Sequence, residues 1–267
     1  MTAVPDRVKA RGVDLAVEVI GDRGPVFVWG HGLTSSRESE DERGLFRWHD
    51  GESDAWRWAR FDARGHGESA GTAEPECYRW DALAGDMLAV ADHAGADRFV
   101  VGGASMGCAS ALYAALNAPQ RIEALVLVIP PTAWTTRVAQ RQIYLDSAAF
   151  VEQRGKQAWL DGRAALPRPQ IFADEPEQPI TAAVDEQLLP SVLRGAAASD
   201  LPAIDRLRTI AQPALVLAWD TDPAHPVSTA ETLAGVLPSC ELHVARRPDD
   251  LRHWRELVAG HVAVASG

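Results

Sequence analysis

The chain has 267 residues, 46% of them apolar, and a formal net charge of −11. That length suits one large α/β domain with room for an inserted subdomain, and the apolar fraction excludes a disordered chain. The acidic balance argues against nucleic acid and anionic membrane surfaces as partners, because both reward positive charge.

Three separated cysteines, Cys77, Cys108 and Cys240, make neither a disulfide framework nor a paired metal knuckle, which fits a reducing compartment. Met1 to Lys9 lacks an apolar signal core, and no run approaches about 18 apolar residues. The expectation is a soluble, cytoplasmic protein.

Val13 to Val19 alternates like a half-exposed strand and turns at Gly21-Asp22-Arg23-Gly24. Pro25 to Trp29 is a continuous apolar run of the buried-strand kind, ending at Gly30-His31-Gly32-Leu33-Thr34. A glycine-bracketed loop after a central strand can aim backbone N–H groups at one point, which makes Leu33 N–H a candidate donor. Residues 35 to 55 are charged and irregular and are expected on the surface. Trp56 to Phe61 is another strand candidate, followed by Asp62-Ala63-Arg64-Gly65-His66-Gly67, and helical spacing resumes at Trp80, Leu83, Met87, Val90 and Ala91.

The next stretch organises the rest. Phe99 to Val101 is an apolar strand, Gly103-Ala104-Ser105-Met106-Gly107 is a full G-x-S-x-G, and a helix pattern follows from Ala109 to Leu116. Nucleophilic chemistry needs a serine on a strained strand-to-helix turn, with Oγ above the sheet edge and glycines relieving the crowded backbone. The helix N-terminus adds a free N–H and a positive dipole end. The bland alternative is an ordinary turn with a capping serine.

Ala124 to Ile129 is a fully apolar strand stopped by Pro130-Pro131. From Thr135 to about Arg208 the strand pattern gives way to short helices broken by Pro167, Pro169, Pro176, Pro179 and Pro190. This stretch reads as a helical cap over the sheet's carboxyl edge, where open α/β sheets bind ligands. Trp134, Trp159 and Phe172 serve either as its lining or as its own core. Pro213 to Trp219 returns to the sheet, and Asp220-Thr221-Asp222-Pro223-Ala224-His225-Pro226 forms the next loop. A helix from Ser228 to Leu237, a strand from Glu241 to Ala245 and a helix from Pro248 to about Val262 complete the chain. Strands separated by helices predict a mostly parallel sheet covered on both faces, with 1–134 and 209–267 as the core and 135–208 as the cap.

The His31-Gly32 loop, the Asp62 to Gly67 segment, the Ser105 turn and the acidic loop after Trp219, in this order, resemble the α/β-hydrolase superfamily. The resemblance runs over the whole chain and is more specific for the fold than for the reaction. It implies a nucleophile, an acid and a histidine in that chain order. Ser105 matches the nucleophile, Leu33 and Met106 match the two backbone donors of the oxyanion hole, and Asp222 matches the acid, with Asp220 as a nearby competitor.

In that superfamily the histidine normally stands in the loop after the last strand. Here Ala245 is followed by Arg246-Arg247 and Pro248 already starts the helix, so that loop holds no histidine. His31 and His66 sit in motif loops where the family uses histidines to hold backbone. His49, His93 and His243 read as surface, helix and strand residues, and His261 falls at the far end of the last helix. His225 is the preferred base, since Pro223 and Pro226 restrict a loop that already carries Asp222. His253 near the start of the last helix, and no base at all, stay open.

These readings predict a serine hydrolase cleaving a carboxylic ester, thioester or lactone of a small to medium apolar molecule through an acyl-enzyme on Ser105. Acyl transfer, cyclisation or C–C cleavage on the same serine is one alternative, and a non-catalytic small-molecule-binding descendant is another. No cofactor is expected, and no metal site, since neither H-E-x-x-H nor a cysteine pair occurs. The partner is a small-molecule substrate, with no nucleic acid and no membrane; monomer and homo-oligomer are equally compatible with the sequence. Cys108 reads as a small apolar packer.

Overall fold

The computed structural model describes residues 5–44, 46–49, 56–176 and 178–265. Its centre is one eight-stranded sheet: β1 (Asp6–Ala10), β2 (Val13–Ile20), β3 (Val26–Gly30), β4 (Arg57–Phe61), β5 (Phe99–Ala104), β6 (Ile122–Val128), β7 (Ala214–Trp219) and β8 (Cys240–Ala245). The spatial order is β1-β2-β4-β3-β5-β6-β7-β8. β2 runs antiparallel to both its neighbours and all other pairs are parallel. Parallel strands need covering on both faces, which explains the nearly continuous apolar sequences of the central β3, β5 and β7.

The helices are α1 (Arg37–Arg43), α2 (Trp80–His93), α3 (Met106–Asn117), α4 (Arg137–Ala164), α5 (Leu189–Ala197), α6 (Ile204–Leu207), α7 (Val227–Val236), α8 (Pro248–Arg252) and α9 (Trp254–Ala265). Strand residues alternate between the two layers. Val26 and Val28 pack with α2, α3 and α7, whereas Phe27 and Trp29 point to the side holding α9 and the aromatic residues Phe46, Trp48, Trp56 and Trp58.

Four differences from the sequence reading have physical causes. β1 is an edge strand whose first two residues, Asp6 and Arg7, are exposed. It is set by a two-residue turn in which Arg11 and Gly12 both take positive φ, 47° and 86°. Residues 37–43 form a helix where an irregular surface was expected: Ser36 caps α1 and trades hydrogen bonds with Ser39, while Glu40 turns into the protein. The rest of that expectation falls partly on residues 45 and 50–55, outside the described residues. The segment between β6 and β7 starts with one long helix, α4, interrupted at Gly155 (φ 83°) and not by proline, because the prolines lie beyond its end. The last helix is broken at His253 into α8 and α9.

This insertion has a small core of its own, with Trp159, Val151, Leu189 and Val192. Arg137 ties it to the sheet layers: its guanidinium lies 4.1 Å over the Trp80 ring and donates to the carbonyl of Ser199. No helix among the described residues is long and apolar enough to cross a membrane.

Candidate active site

The strained backbone of this chain gathers at the carboxyl ends of the strands. Thr34 after β3, Ser105 after β5, Ile129 after β6 and Thr221 after β7 all have positive φ without being glycine. Such conformations persist only where surrounding structure over-determines them, and they concentrate at functional sites. Ser105 has φ 51° and ψ −106°. Its N–H donates to Val128 carbonyl at 3.0 Å and its own carbonyl accepts from Ala109 N–H at 3.1 Å, so the bend is held on both sides.

The glycines of the motif have a steric reason. A Cβ on Gly103 or Gly107 would run into the carbonyl of Gly30, so β3, β5 and the first turn of α3 can approach one another only without side chains there. That packing brings Gly32 beside Ser105. Leu33 N–H and Met106 N–H, both next to this turn, meet no acceptor among the described residues.

His225 Nε2 lies 2.9 Å from Ser105 Oγ, and His225 Nδ1 lies 2.7 Å from Asp222 Oδ2. The structure thus brings Ser105, Asp222 and His225 into one hydrogen-bonded line, although acid and imidazole come from the same loop. Asp222 accepts two further bonds, from Trp219 Nε1 to Oδ2 at 3.0 Å and from Ala224 N–H to Oδ1 at 2.9 Å. Burial acts to raise the Asp222 pKa, but the hydrogen bond and charge of His225, with the Trp219 and Ala224 donors, outweigh it and hold the carboxyl down to about 2. Asp220 points its N–H at Ala245 carbonyl and makes no bond to His225.

The other histidines are elsewhere. His253 ends α8, exposed, with Nδ1 on Asp249 carbonyl at 3.2 Å. His243 pairs with Glu241 at 2.7 Å, His93 faces Asp6 at 3.3 Å, and His49 packs its edge on Trp56. His261 lies beside the backbone of Leu125 and Pro213, at the opposite edge of the sheet from Ser105. His31 and His66 are fully buried. His31 Nδ1–H donates to Gly32 carbonyl and Nε2 accepts Ala63 N–H, while His66 Nδ1–H donates to Arg64 carbonyl. Burial, followed by the neighbouring His31, drives the His66 pKa down to about 3.

Of the insertion's aromatics, Trp159 packs inside it. Trp134 bonds Pro202 carbonyl, and Phe172 leaves the insertion to meet Trp219 edge-on at 5.0 Å. Cys108 is buried and its thiol is pushed up by that burial, as befits a packing residue. Among the described residues no cluster of three His, Cys, Asp or Glu side chains could hold a metal ion. The part that sequence reasoning missed is Trp219. Its only sequence signal is an aromatic residue closing a strand directly before the acidic loop.

A family model described as the alpha/beta hydrolase fold matches residues 25–263. The chain is 27% identical over 193 residues to the "Putative carbamate hydrolase RutD" of Klebsiella pneumoniae, covering 68% of this chain and 69% of that protein. Among solved structures, a thermophilic esterase from Thermogutta terrifontis superposes with a TM-score of 0.80 at 21% identity, over 99% of this chain and 100% of the other. The enol-lactonase from Burkholderia xenovorans superposes with 0.76 at 20% identity, over 97% and 98%. At these identities the superpositions speak for the fold. The match to the family model takes in all but the first two strands and the last few residues, and on that ground the chain belongs to the α/β-hydrolase fold family.

Proposed function

We propose that the chain is a serine hydrolase acting on a carboxylic ester, thioester or lactone of a small to medium apolar molecule. The observation that carries this reading is the line Ser105 Oγ, His225, Asp222, with steps of 2.9 and 2.7 Å. A nucleophile within hydrogen-bond reach of a base, itself oriented by a carboxylate, is the arrangement acyl transfer requires.

Asp222 stays ionised and accepts Nδ1–H, which leaves the Nε2 lone pair of His225 facing the Ser105 hydroxyl. As Oγ attacks the substrate carbonyl, His225 takes the proton, and the imidazolium is stabilised by Asp222. Leu33 and Met106 N–H groups, unused by the protein, receive the developing oxyanion; in known enzymes such a donor is worth about 3–4 kcal/mol. The imidazolium then protonates the departing alkoxide or thiolate, leaving an acyl group on Ser105. Water, deprotonated by His225, releases the acid and restores the serine. The chemistry calls for no cofactor.

In this reading residues 135–208 act as a cap over a core made of 1–134 and 209–267. The support is that the insertion begins just beyond β6 and touches the acidic loop through Gln170 N–H on Thr221 Oγ1 at 2.9 Å. The separate, free cysteines support a reducing, cytoplasmic setting. An imidazole within hydrogen-bond reach of Ser105 supports the catalytic reading over a non-catalytic descendant.

The test is turnover of p-nitrophenyl acetate and butyrate, a simple lactone and a phenyl carbamate, with mass spectrometry of the fluorophosphonate-treated protein. Ester or lactone cleavage and one phosphonate adduct are expected, both absent in Ser105→Ala. Equal turnover by Ser105→Ala overturns the mechanism. Product analysis with an added alcohol separates hydrolysis from acyl transfer.

A further inference from the structure

The Asp222 carboxylate carries three donors, and its oxygens are not used alike. Oδ1 takes only the Ala224 N–H, two residues on in the same loop. Oδ2 takes both His225 Nδ1 and Trp219 Nε1. Besides His225, Trp219 is the only side chain among the described residues that bonds to this acid.

The indole is itself clamped. It stacks parallel on Trp254 at 5.8 Å and on Phe46 at 6.5 Å, and Phe172 meets its face edge-on at 5.0 Å. These three partners come from the start of α9, from the segment after α1, and from the turn at residues 170–172. Offset-stacked and edge-to-face aromatic contacts favour defined ring orientations. The N–H that reaches Asp222 is therefore aimed by parts of the chain remote from the acid's own loop.

Ala224 and His225 sit on the same seven-residue loop as Asp222 and move with it, so the Trp219 indole is the donor to this carboxylate, among the described residues, that comes from outside the loop. With the acid and the base only three residues apart, any rotation of Asp222 also changes the angle at which His225 presents Nε2 to Ser105. We propose that Trp219 is a positioning residue for the catalytic line: its indole N–H fixes the plane of Asp222, and the aromatic clamp fixes the indole.

This inference rests on the serine-hydrolase reading, and one experiment separates the two. Trp219 is replaced by Phe and, by site-specific incorporation, by benzothienylalanine, which keeps the bicyclic ring and its stacking but has no N–H. Steady-state kinetics on p-nitrophenyl butyrate and the rate of inactivation by a fluorophosphonate are measured beside Ser105→Ala. Both replacements are expected to lower kcat and the inactivation rate about tenfold with KM within about twofold, the pattern of a loss felt in the transition state. The benzothienylalanine protein should remain fully folded at the assay temperature, since its packing is unchanged and its melting point falls only by the loss of one hydrogen bond to Asp222. Wild-type kcat and inactivation rate in the benzothienylalanine protein overturn the positioning role while leaving the hydrolase reading intact. Full turnover by Ser105→Ala overturns that reading, and the inference with it.

Discussion

Two loop clusters at the carboxyl edge of the sheet carry histidines and use them in opposite ways. Next to β3 and β4, His31 and His66 are sealed from solvent, and their ring nitrogens hold backbone groups of Gly32, Ala63 and Arg64. Burial pushes both pKa values down, so the rings stay neutral and act as rigid struts. After β7, His225 is only partly buried, between a carboxylate and a hydroxyl. The residue type is the same; among the described residues His31 spends both nitrogens on the main chain and His66 spends one with the other buried without a partner, whereas His225 presents its second nitrogen to a hydroxyl. A histidine is committed by its partners, not by lying near a functional loop.

The sharpest way to test that contrast is to remove each kind. His225→Ala should reduce kcat toward p-nitrophenyl butyrate by about 10⁴-fold or more, as removal of the base does in serine hydrolases of this chemistry. Its urea midpoint should barely move, since the ring supports no backbone group. Asp222→Asn should lose about 10⁴-fold, because an amide cannot stabilise the imidazolium and favours the wrong tautomer. His253→Ala, at the exposed end of α8, should match the wild type in both assays. A His253→Ala protein that lost activity would move the base to the other loop.

The strut side of the comparison fails differently. Arg64, in the same segment as His66, is fully buried and bonded twice to the equally buried Asp86, at 2.8 and 2.7 Å. Replacing it with Met strands a buried carboxylate, and such losses run to about 3–5 kcal/mol. Urea unfolding of Arg64→Met should show that loss, while kcat of the folded fraction stays within about threefold of wild type. Loss of catalysis without loss of stability here would mean that this segment is chemical and not a strut.

Much of this division was legible beforehand, for reasons that differ by residue. Ser105 announced itself because a strand, two glycines and a helix can meet in few ways, and the clash a side chain would make with Gly30 is the cause of the pattern. Asp222 could be proposed because the family resemblance puts an acid in the loop after this strand, and His225 because Pro223 and Pro226 restrict the loop it shares with that acid. The main-chain use of His31 and His66 was carried by the family resemblance, since nothing in their spacing says which atoms they touch. β1 escaped because an exposed edge strand needs little apolar sequence, and α1 because its order comes from a serine cap and from one acid turned inward. Trp219 could not be picked out among nine tryptophans. Its role depends on Phe46, Phe172 and Trp254, which are distant in sequence and meet only in the folded chain.

The smallest expected effect concerns two groups that burial keeps neutral, His66 and Glu40, whose contributions to stability depend on pH with opposite sign. His66 is depressed from 6.5 to about 3, first by burial. Between these values the unfolded chain binds a proton that the folded chain refuses, so stability is full above 6.5 and is lost as pH falls toward 3. Glu40 is the mirror case. Burial raises its carboxyl from 4.5 to about 8 against the opposing hydrogen bond from Trp29 Nε1, 2.8 Å from Oε2, while Oε1 has no partner. The unfolded chain releases that proton first, so stability is full below 4.5 and declines as pH rises through 8. Glu40→Gln keeps the shape and the acceptor for Trp29 but removes the ionisation. Its melting temperature should therefore fall less than that of the wild type between pH 5 and pH 8, a gain on the order of 2 kcal/mol at the alkaline end. The kcat profile over the same range should be unchanged, because among the described residues Glu40 hydrogen-bonds Trp29 and none of Ser105, Asp222 and His225. If the kcat profile moved with the melting curve, the aromatic layer would be transmitting charge to the site, and the separation between strut and catalytic histidines would have to be redrawn to include it.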